Sequence, residues 1–215
     1  MKKIGIMQPY FFPYIGYFSL IKQTDEFILF DAVQFIRHGW IERNRILKQN
    51  ESWLYIKVPL IKHEQSSLIK DVLIDQSQEW KNKIMAQLVV YKKIAPYYET
   101  VVRLIENIIS KDCKDIVALN KIALEAVCHY LEINTPIKVF SEMSLDIETP
   151  HAADEWALNI CKAISDIDEY WNPPGGEDFF DRSKYEQAGI KLIFQKIMLE
   201  PYNQYRQPFV EGLSI

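Results

Sequence analysis

Apolar positions fall along this chain in two rhythms. Short continuous runs at residues 4–7, 26–31, 53–58, 136–140, 168–171 and 191–194 read as strands. The run Phe27-Ile28-Leu29-Phe30 suits a strand buried on both faces. Between these runs, apolar residues recur every three to four positions over 79–94, 97–110 and 115–131, the spacing of helices with one buried face, and 15–23, 154–164 and 182–188 read as further helices. Asp112 and Asp115 can cap the helix that follows them, and Pro96 separates the two helices before it. Residues 69–74, IKDVLI, read as one more short strand. Strand–helix alternation at both ends predicts an α/β fold: a Rossmann-like, mostly parallel, right-handed sheet with helices on both faces. Residues 78–133 then form a mostly helical cap or insertion within a single domain over 1–215.

Composition narrows the class of protein. At 215 residues, 48% hydrophobic and 25% charged, the chain can build one large core. A net charge of −4 argues against a generic nucleic-acid binder. No apolar run approaches the roughly 18 residues of a membrane span, and no signal-peptide pattern is visible. Cys113, Cys128 and Cys161 are odd in number, lack CxxC spacing and fall in helical stretches. Buried free thiols in a reducing cytoplasm are the expected reading.

Four stretches carry candidate chemistry. The first strand runs into Gln8-Pro9-Tyr10-Phe11-Phe12-Pro13-Tyr14-Ile15-Gly16-Tyr17, with a helix starting near Tyr14 to Gly16. Two prolines stiffen this turn, and ligands of α/β proteins sit beyond strand carboxyl ends against helix N-termini. The turn is either a ligand surface of Gln8, Tyr10, Tyr14, Gly16 and Tyr17 or a hydrophobic plug under the C-terminal half. The second strand ends in Asp31, with Gln34 beyond it; Arg37, His38, Arg43 and Arg45 then fall within nine residues, with Trp40 and Asn44 among them. Guanidinium groups clamp phosphates at two points while a Trp ring stacks on a base or sugar; the bland counterpart is a solvated loop anchored by Trp40. Lys57 ends the third strand and can reach the same anion, unless it is a plain surface lysine. His63 is a candidate general base, since an unperturbed imidazole titrates near about 6.5, or else a surface histidine. His38, His129 and His151 show no metal-ligand spacing, so no metal site is expected. Finally Asn172-Pro173-Pro174-Gly175-Gly176 precedes Glu177, Asp178 and Asp181 at a helix start. The glycines permit close backbone approach, and the acids suit a helix cap, a sugar hydroxyl, a magnesium ion or a substrate amine. GxxxxGKS, GxGxxG and GxSxG motifs are absent.

Taken in order, several segments resemble the WbqC-like protein family over nearly the whole chain. They are IGIMQPYFFPYIGYFSLI, the DAVQF from Asp31 to Phe35, the WIERNRI from Trp40 to Ile46, Val58-Pro59, the stretch from Tyr91 to Pro96, and the GGxxxxD from Gly175 to Asp181. The resemblance implies a role in bacterial O-antigen and other surface polysaccharide synthesis. The implied reaction joins an amino acid, glycine in the leading reading, to the amine of a nucleotide-linked amino sugar. A weaker similarity, to pantothenate synthetase and related nucleotidyltransferases, implies ATP and Mg as cofactors and an acyl adenylate captured by an amine. Tyr14 and Tyr17 stand where that group carries two histidines.

On that reading Arg37, Arg43, Arg45 and Lys57 neutralise a pyrophosphate, and Tyr10, Tyr14 and Trp40 stack on base or sugar. Gln8, Asp31 and Gln34 orient the amine, and His63 or Asp31 removes its proton. Gly16, Tyr17, His38, Asn44, Asn172, Gly175, Gly176 and Asp181 complete the expected binding surface. Two other classes stay open. One is a non-catalytic protein that binds a sugar nucleotide or a partner enzyme of the pathway. The other is a metal-dependent nucleotidyltransferase or nuclease using Asp31, Asp178 and Asp181. The tail EPYNQYRQPFVEGLSI is expected to dock on the body or on a second copy in a homo-oligomer.

Overall fold

The chain runs β1 (Lys2–Met7), α1 (Ile15–Lys22), β2 (Glu26–Leu29), β3 (Arg43–Leu47), β4 (Trp53–Lys57), α2 (Trp80–Leu88), α3 (Tyr98–Ile109), α4 (Ile116–Tyr130), β5 (Ile137–Val139), α5 (Glu155–Ala163), β6 (Ile167–Asn172), α6 (Arg182–Gln187) and β7 (Lys191–Phe194). The computed structural model describes residues 1–215 apart from 49–51, 199, 205–207 and 215. The central sheet has the order β5-β2-β1-β6-β7, and every neighbouring pair is parallel. From β1 the chain builds outward to β2 and β5, then crosses back to β6 and β7. The strand order therefore switches direction beside β1.

Period-two alternation divides the apolar side chains between the two faces. Ile4 and Ile6 of β1 and Ile28 of β2 pack with Leu158 and Ile160 of α5 and Tyr185 of α6. Phe27 and Leu29 point the other way, into a core with Phe18 and Leu20 of α1 and Leu119 and Leu124 of α4. Helices thus cover both faces, as the alternating pattern predicts. All four residues of β2 are buried, as its unbroken apolar run requires. The buried faces of α2 and α3, through Ile84, Leu88, Ile105 and Ile108, belong to the same core as α1 and α4. Asp115 caps α4, its Oδ1 accepting from the Ala118 amide at 2.8 Å.

Two elements depart from the sequence reading. β4 does not enter the main sheet; it pairs antiparallel with β3, from Arg43↔Lys57 to Leu47↔Trp53. β3 has little apolar signal because Asn44 takes an inward position, where its Nδ2 donates to the carbonyls of Phe11 (3.0 Å) and Phe12 (2.8 Å). Residues 69–74 form no strand: Ile69–Asp71 is a 3-10 turn, followed by single bridges Leu60↔Ile74 and Leu73↔Asp115. Their backbone groups bond to scattered partners, Ile69 N–H to Val33 and Ile74 N–H to Lys114, rather than to one ladder. Among the described residues no helix is long and apolar enough to cross a membrane.

Candidate functional site

The loop after β2, the end of β4 and the segment beyond it enclose a pocket of about 340 Å³, walled by Phe35, Arg37, His38, Glu42, Lys57 and residues 60–63. Four of the residues singled out in the sequence, Arg37, His38, Lys57 and His63, meet here. Lys62 adds a further cation. Arg37 crosses the opening, donating from Nη2 to the His63 carbonyl at 3.3 Å. The His63 Nδ1 lies 2.9 Å from the Ile61 carbonyl, and its ring stands edge-on to Phe35 at 5.0 Å. A carbonyl only accepts, so Nδ1 carries a proton, and in the neutral ring Nε2 keeps the lone pair. That Nε2 is enclosed and has no hydrogen-bond partner among the described residues. A second cavity, of about 450 Å³, shares Lys57 and Leu60 as walls and continues past Pro59 to Trp80 and Lys83. Lys57 thus stands between two chambers that it and Leu60 both wall.

Glu42 lines the first chamber and carries no sequence expectation. It is 3% exposed, with Oε2 enclosed and without a partner among the described residues. The signal for it was alternation: with β3 recognised, Glu42 falls on the same inward side as Asn44 and Ile46. Its carbonyl accepts from the Val58 amide at 2.8 Å, which ties it to the strand end that carries Lys57.

Trp40, Arg43 and Arg45 lie apart from that pocket, on the outer side of the β3–β4 hairpin. The Arg43 guanidinium sits 4.0 Å over the Tyr55 ring, and its Nη2 donates to the His38 carbonyl, holding a turn in which His38 has φ 63°. Arg45 lies between Trp40 at 5.3 Å and Trp53 at 5.5 Å, and its Nη2 donates to the carbonyls of Glu211 and Gly212 at 3.3 Å. Both guanidinium groups are engaged with rings and carbonyls. Asn44 faces inward beneath them, against the aromatic turn.

That turn closes the carboxyl end of β1. Phe11 and Phe12 are buried, and the tail reaches them through Ser214, whose Oγ donates to the Phe12 carbonyl at 2.8 Å. The plug reading describes these two rings. Tyr10 and Tyr14 remain partly open, with Tyr10 5.5 Å from the buried Tyr17 ring. Burial raises the Tyr10, Tyr14 and Tyr17 phenols above their usual range, so all three stay neutral hydrogen-bonding groups at neutral pH. The Tyr17 hydroxyl donates to the Gln8 carbonyl at 2.8 Å. The Tyr14 ring lies over Gly16 so closely that a Cβ there would stand 2.3 Å from it. Buried Gln195 links this turn to the end of β6: its Nε2 donates to the Gly16 carbonyl at 3.4 Å and its amide to the Asn172 carbonyl at 2.8 Å. Asn172 is itself buried, accepting from the Tyr170 hydroxyl at 2.9 Å, and a Cβ on Gly176 would meet its Nδ2 at 2.1 Å. Gly175 faces open space.

The acids spread out. Asp31 is 1% exposed; Oδ1 accepts from the Ser141 amide at 3.1 Å and Oδ2 from its hydroxyl at 2.5 Å, fastening the end of β2 to the end of β5. Asp181 caps α6 by accepting from the Ser183 amide at 2.9 Å. Gln34 is exposed and donates to the Gln65 carbonyl at 2.7 Å. Among the described residues no group of three or more His, Cys, Asp and Glu side chains could hold a metal ion. Another cavity, of about 250 Å³ between the hairpin, α2, α3 and the tail, is walled mostly by apolar and tyrosine side chains, with Asn203, Gln204 and Ser214 from the tail, and its lining holds no charged residue or histidine. Of the tail, residues 205–207 and 215 lie outside the described residues; the rest docks on the body through Arg45, Phe12 and that cavity wall.

The chain is 29% identical over 208 residues to the uncharacterized protein Rv1507c of Mycobacterium tuberculosis, an alignment covering 96% of this chain and 87% of that one. No solved structure matches it. Its sequence matches the WbqC-like protein family over residues 8–215, and the chain belongs to that family.

Proposed function

We propose that this protein joins glycine, or another amino acid, to the amine of a nucleotide-linked amino sugar used in building a bacterial surface polysaccharide in the cytoplasm. The observation that carries this reading is the unpartnered Nε2 of His63 in a pocket ringed by Arg37, Lys57 and Lys62. Sugar and first phosphate fit the smaller chamber, the pyrophosphate lies by Lys57, and the nucleoside extends toward Trp80 and Lys83. The His63 Nε2 takes a proton from the sugar ammonium. The freed nitrogen bonds to the glycyl carbonyl carbon as the bond from that carbon to its activating group breaks, the electron pair leaving with that group, and the nitrogen sheds its second proton to the departing group or to water. Holding both reactants in line supplies up to about 7–11 kcal/mol of such a barrier. The activating group would be the adenylyl group of Mg-bound ATP, taken by the glycine carboxylate with release of pyrophosphate, or one installed earlier on the glycyl donor. Asp31, bound on both oxygens by Ser141, is a tether on this account rather than the base.

The test is incubation with UDP- and dTDP-linked 4-amino sugars, glycine and ATP·Mg, or a pre-activated glycyl donor, with products read by mass spectrometry. The expected product is the sugar nucleotide carrying one glycyl residue. His63→Asn should lower turnover by about 10²–10⁴-fold while sugar-nucleotide binding persists. Binding without product, indifferent to His63→Asn, would establish the non-catalytic alternative instead.

A further inference from the structure

The reaction just described leaves Glu42 without a task, although its carboxylate is the most deeply enclosed charge in the pocket wall. A buried carboxylate without a donor or cation is far costlier than an exposed one, and natural chains rarely keep one for packing alone. No ion pair joins Glu42 to Lys57 or Lys62 among the described residues, and both lysines stay exposed. Arg37 spends a guanidinium nitrogen on the His63 carbonyl. Cations stand at the rim, then, and one uncompensated carboxylate in the wall. A plain anion would meet the lysines but be repelled by Glu42; a plain cation would meet the reverse. A molecule carrying both charges satisfies both.

Resting on the reading of this pocket as the sugar-phosphate site, we infer that Glu42 receives the ligand's ammonium, so the pocket selects sugar phosphates that carry a primary amine over those that carry a hydroxyl. The ammonium supplies the donors that the carboxylate lacks, and the phosphate answers Lys57, Lys62 and Arg37. One backbone bond, Val58 N–H to Glu42 carbonyl at 2.8 Å, fixes the carboxylate beside the strand end that carries Lys57. Glu42 on this account is a binding residue that decides which ligand is held; the proton still leaves through His63.

Calorimetric titration with glucose 1-phosphate, glucosamine 1-phosphate and 4-amino-4-deoxyglucose 1-phosphate tests this. The native protein should bind at least one amino sugar phosphate about tenfold or more tightly than glucose 1-phosphate, the gain of a charge-assisted hydrogen bond. Glu42→Gln should erase that preference while keeping or improving glucose 1-phosphate binding. Glu42→Asp should keep its sign at reduced size, and thermal melts confirm that each variant folds. Equal binding of all three by the native protein would overturn the role of Glu42 and leave the phosphate pocket standing. A preference that survives Glu42→Gln would also overturn it. No binding of any sugar phosphate would instead remove the pocket reading itself.

Discussion

Two buried asparagines hold the aromatic turn after β1 in place. Asn120 of α4 donates from Nδ2 to the carbonyls of Pro9 (2.8 Å) and Ile41 (2.9 Å), while Asn44 of β3 donates to those of Phe11 and Phe12. A turn with Phe12 at φ 39° leaves its carbonyls pointing inward, where no ladder can reach them, so amide side chains do the work instead. Asn44→Ala strands the buried Phe11 carbonyl and leaves that of Phe12 to the Ser214 hydroxyl alone; it should cost about 2 kcal/mol, a Tm lower by roughly 4–8 °C for a chain of this size. Asn44→Asp should be worse than Asn44→Ala, because a carboxylate then faces two carbonyls; the reverse order in thermal melts would refute this role. At this scale the sequence exposed the cations and His63 through residue type alone. Glu42 was hidden, and Asn44 was expected to face a ligand rather than to clamp the turn, because nothing in a lone polar residue says which side of an unrecognised strand it takes.

Among elements, α5 and α6 are fastened by charge as well as by packing. The Lys184 Nζ of α6 lies 2.9 Å from the Glu155 carboxylate and 3.1 Å from Asp154 at the start of α5. Its hydrogen bond, followed by that from the His151 amide, holds the Glu155 carboxyl down at about 2, against an ordinary 4.5, while the bonds to Glu155 and then Asp154 raise the Lys184 ammonium. A lowered carboxyl stabilises the fold fully above about pH 4.5 and loses that contribution as pH falls toward about 2. The raised ammonium is the mirror case, stabilising until pH climbs past its usual 10.5. Glu155→Gln should flatten the acid side of the Tm–pH curve between about pH 4.5 and 2, modestly and less so in high salt, since these groups are solvent-accessible. An unchanged acid slope would contradict the pairing. Strand and helix positions were readable here because α5 and α6 have periodic apolar faces and β6 and β7 short buried runs. The β3–β4 hairpin was not, since its outward side is an arginine–aromatic ladder and its inward side includes Asn44 and Glu42.

As a whole, the molecule places its sheet where the alternating pattern said, β4 apart, and its cation-lined pocket away from the carboxyl ends of that sheet. The usual crevice beside the strand-order switch is packed by Gln195, Asn172 and the Tyr14 ring, while the cation-lined cleft opens at the hairpin end. Which of several basic stretches converge depends on how β4 leaves the sheet, and no local pattern records that. The same compactness governs the thiols. Cys128 and Cys161 are pushed up to about 12 by burial, Cys113 is raised for the same reason, and all three are free and enclosed. A thiol reagent should therefore label them only as fast as the protein opens; rapid labelling of any one under native conditions would show a local opening there.

The most direct test of the central claim is calorimetric binding of a UDP- or dTDP-linked 4-amino sugar to the native protein, to Lys57→Ala and to Arg43→Ala. Lys57 stands between the two chambers, whereas Arg43 is spent on Tyr55 and the His38 carbonyl. Lys57→Ala should weaken binding by about tenfold or more, with Arg43→Ala near the native value. Loss on Arg43→Ala with Lys57→Ala unaffected would move the site to the outer side of the hairpin and contradict the account.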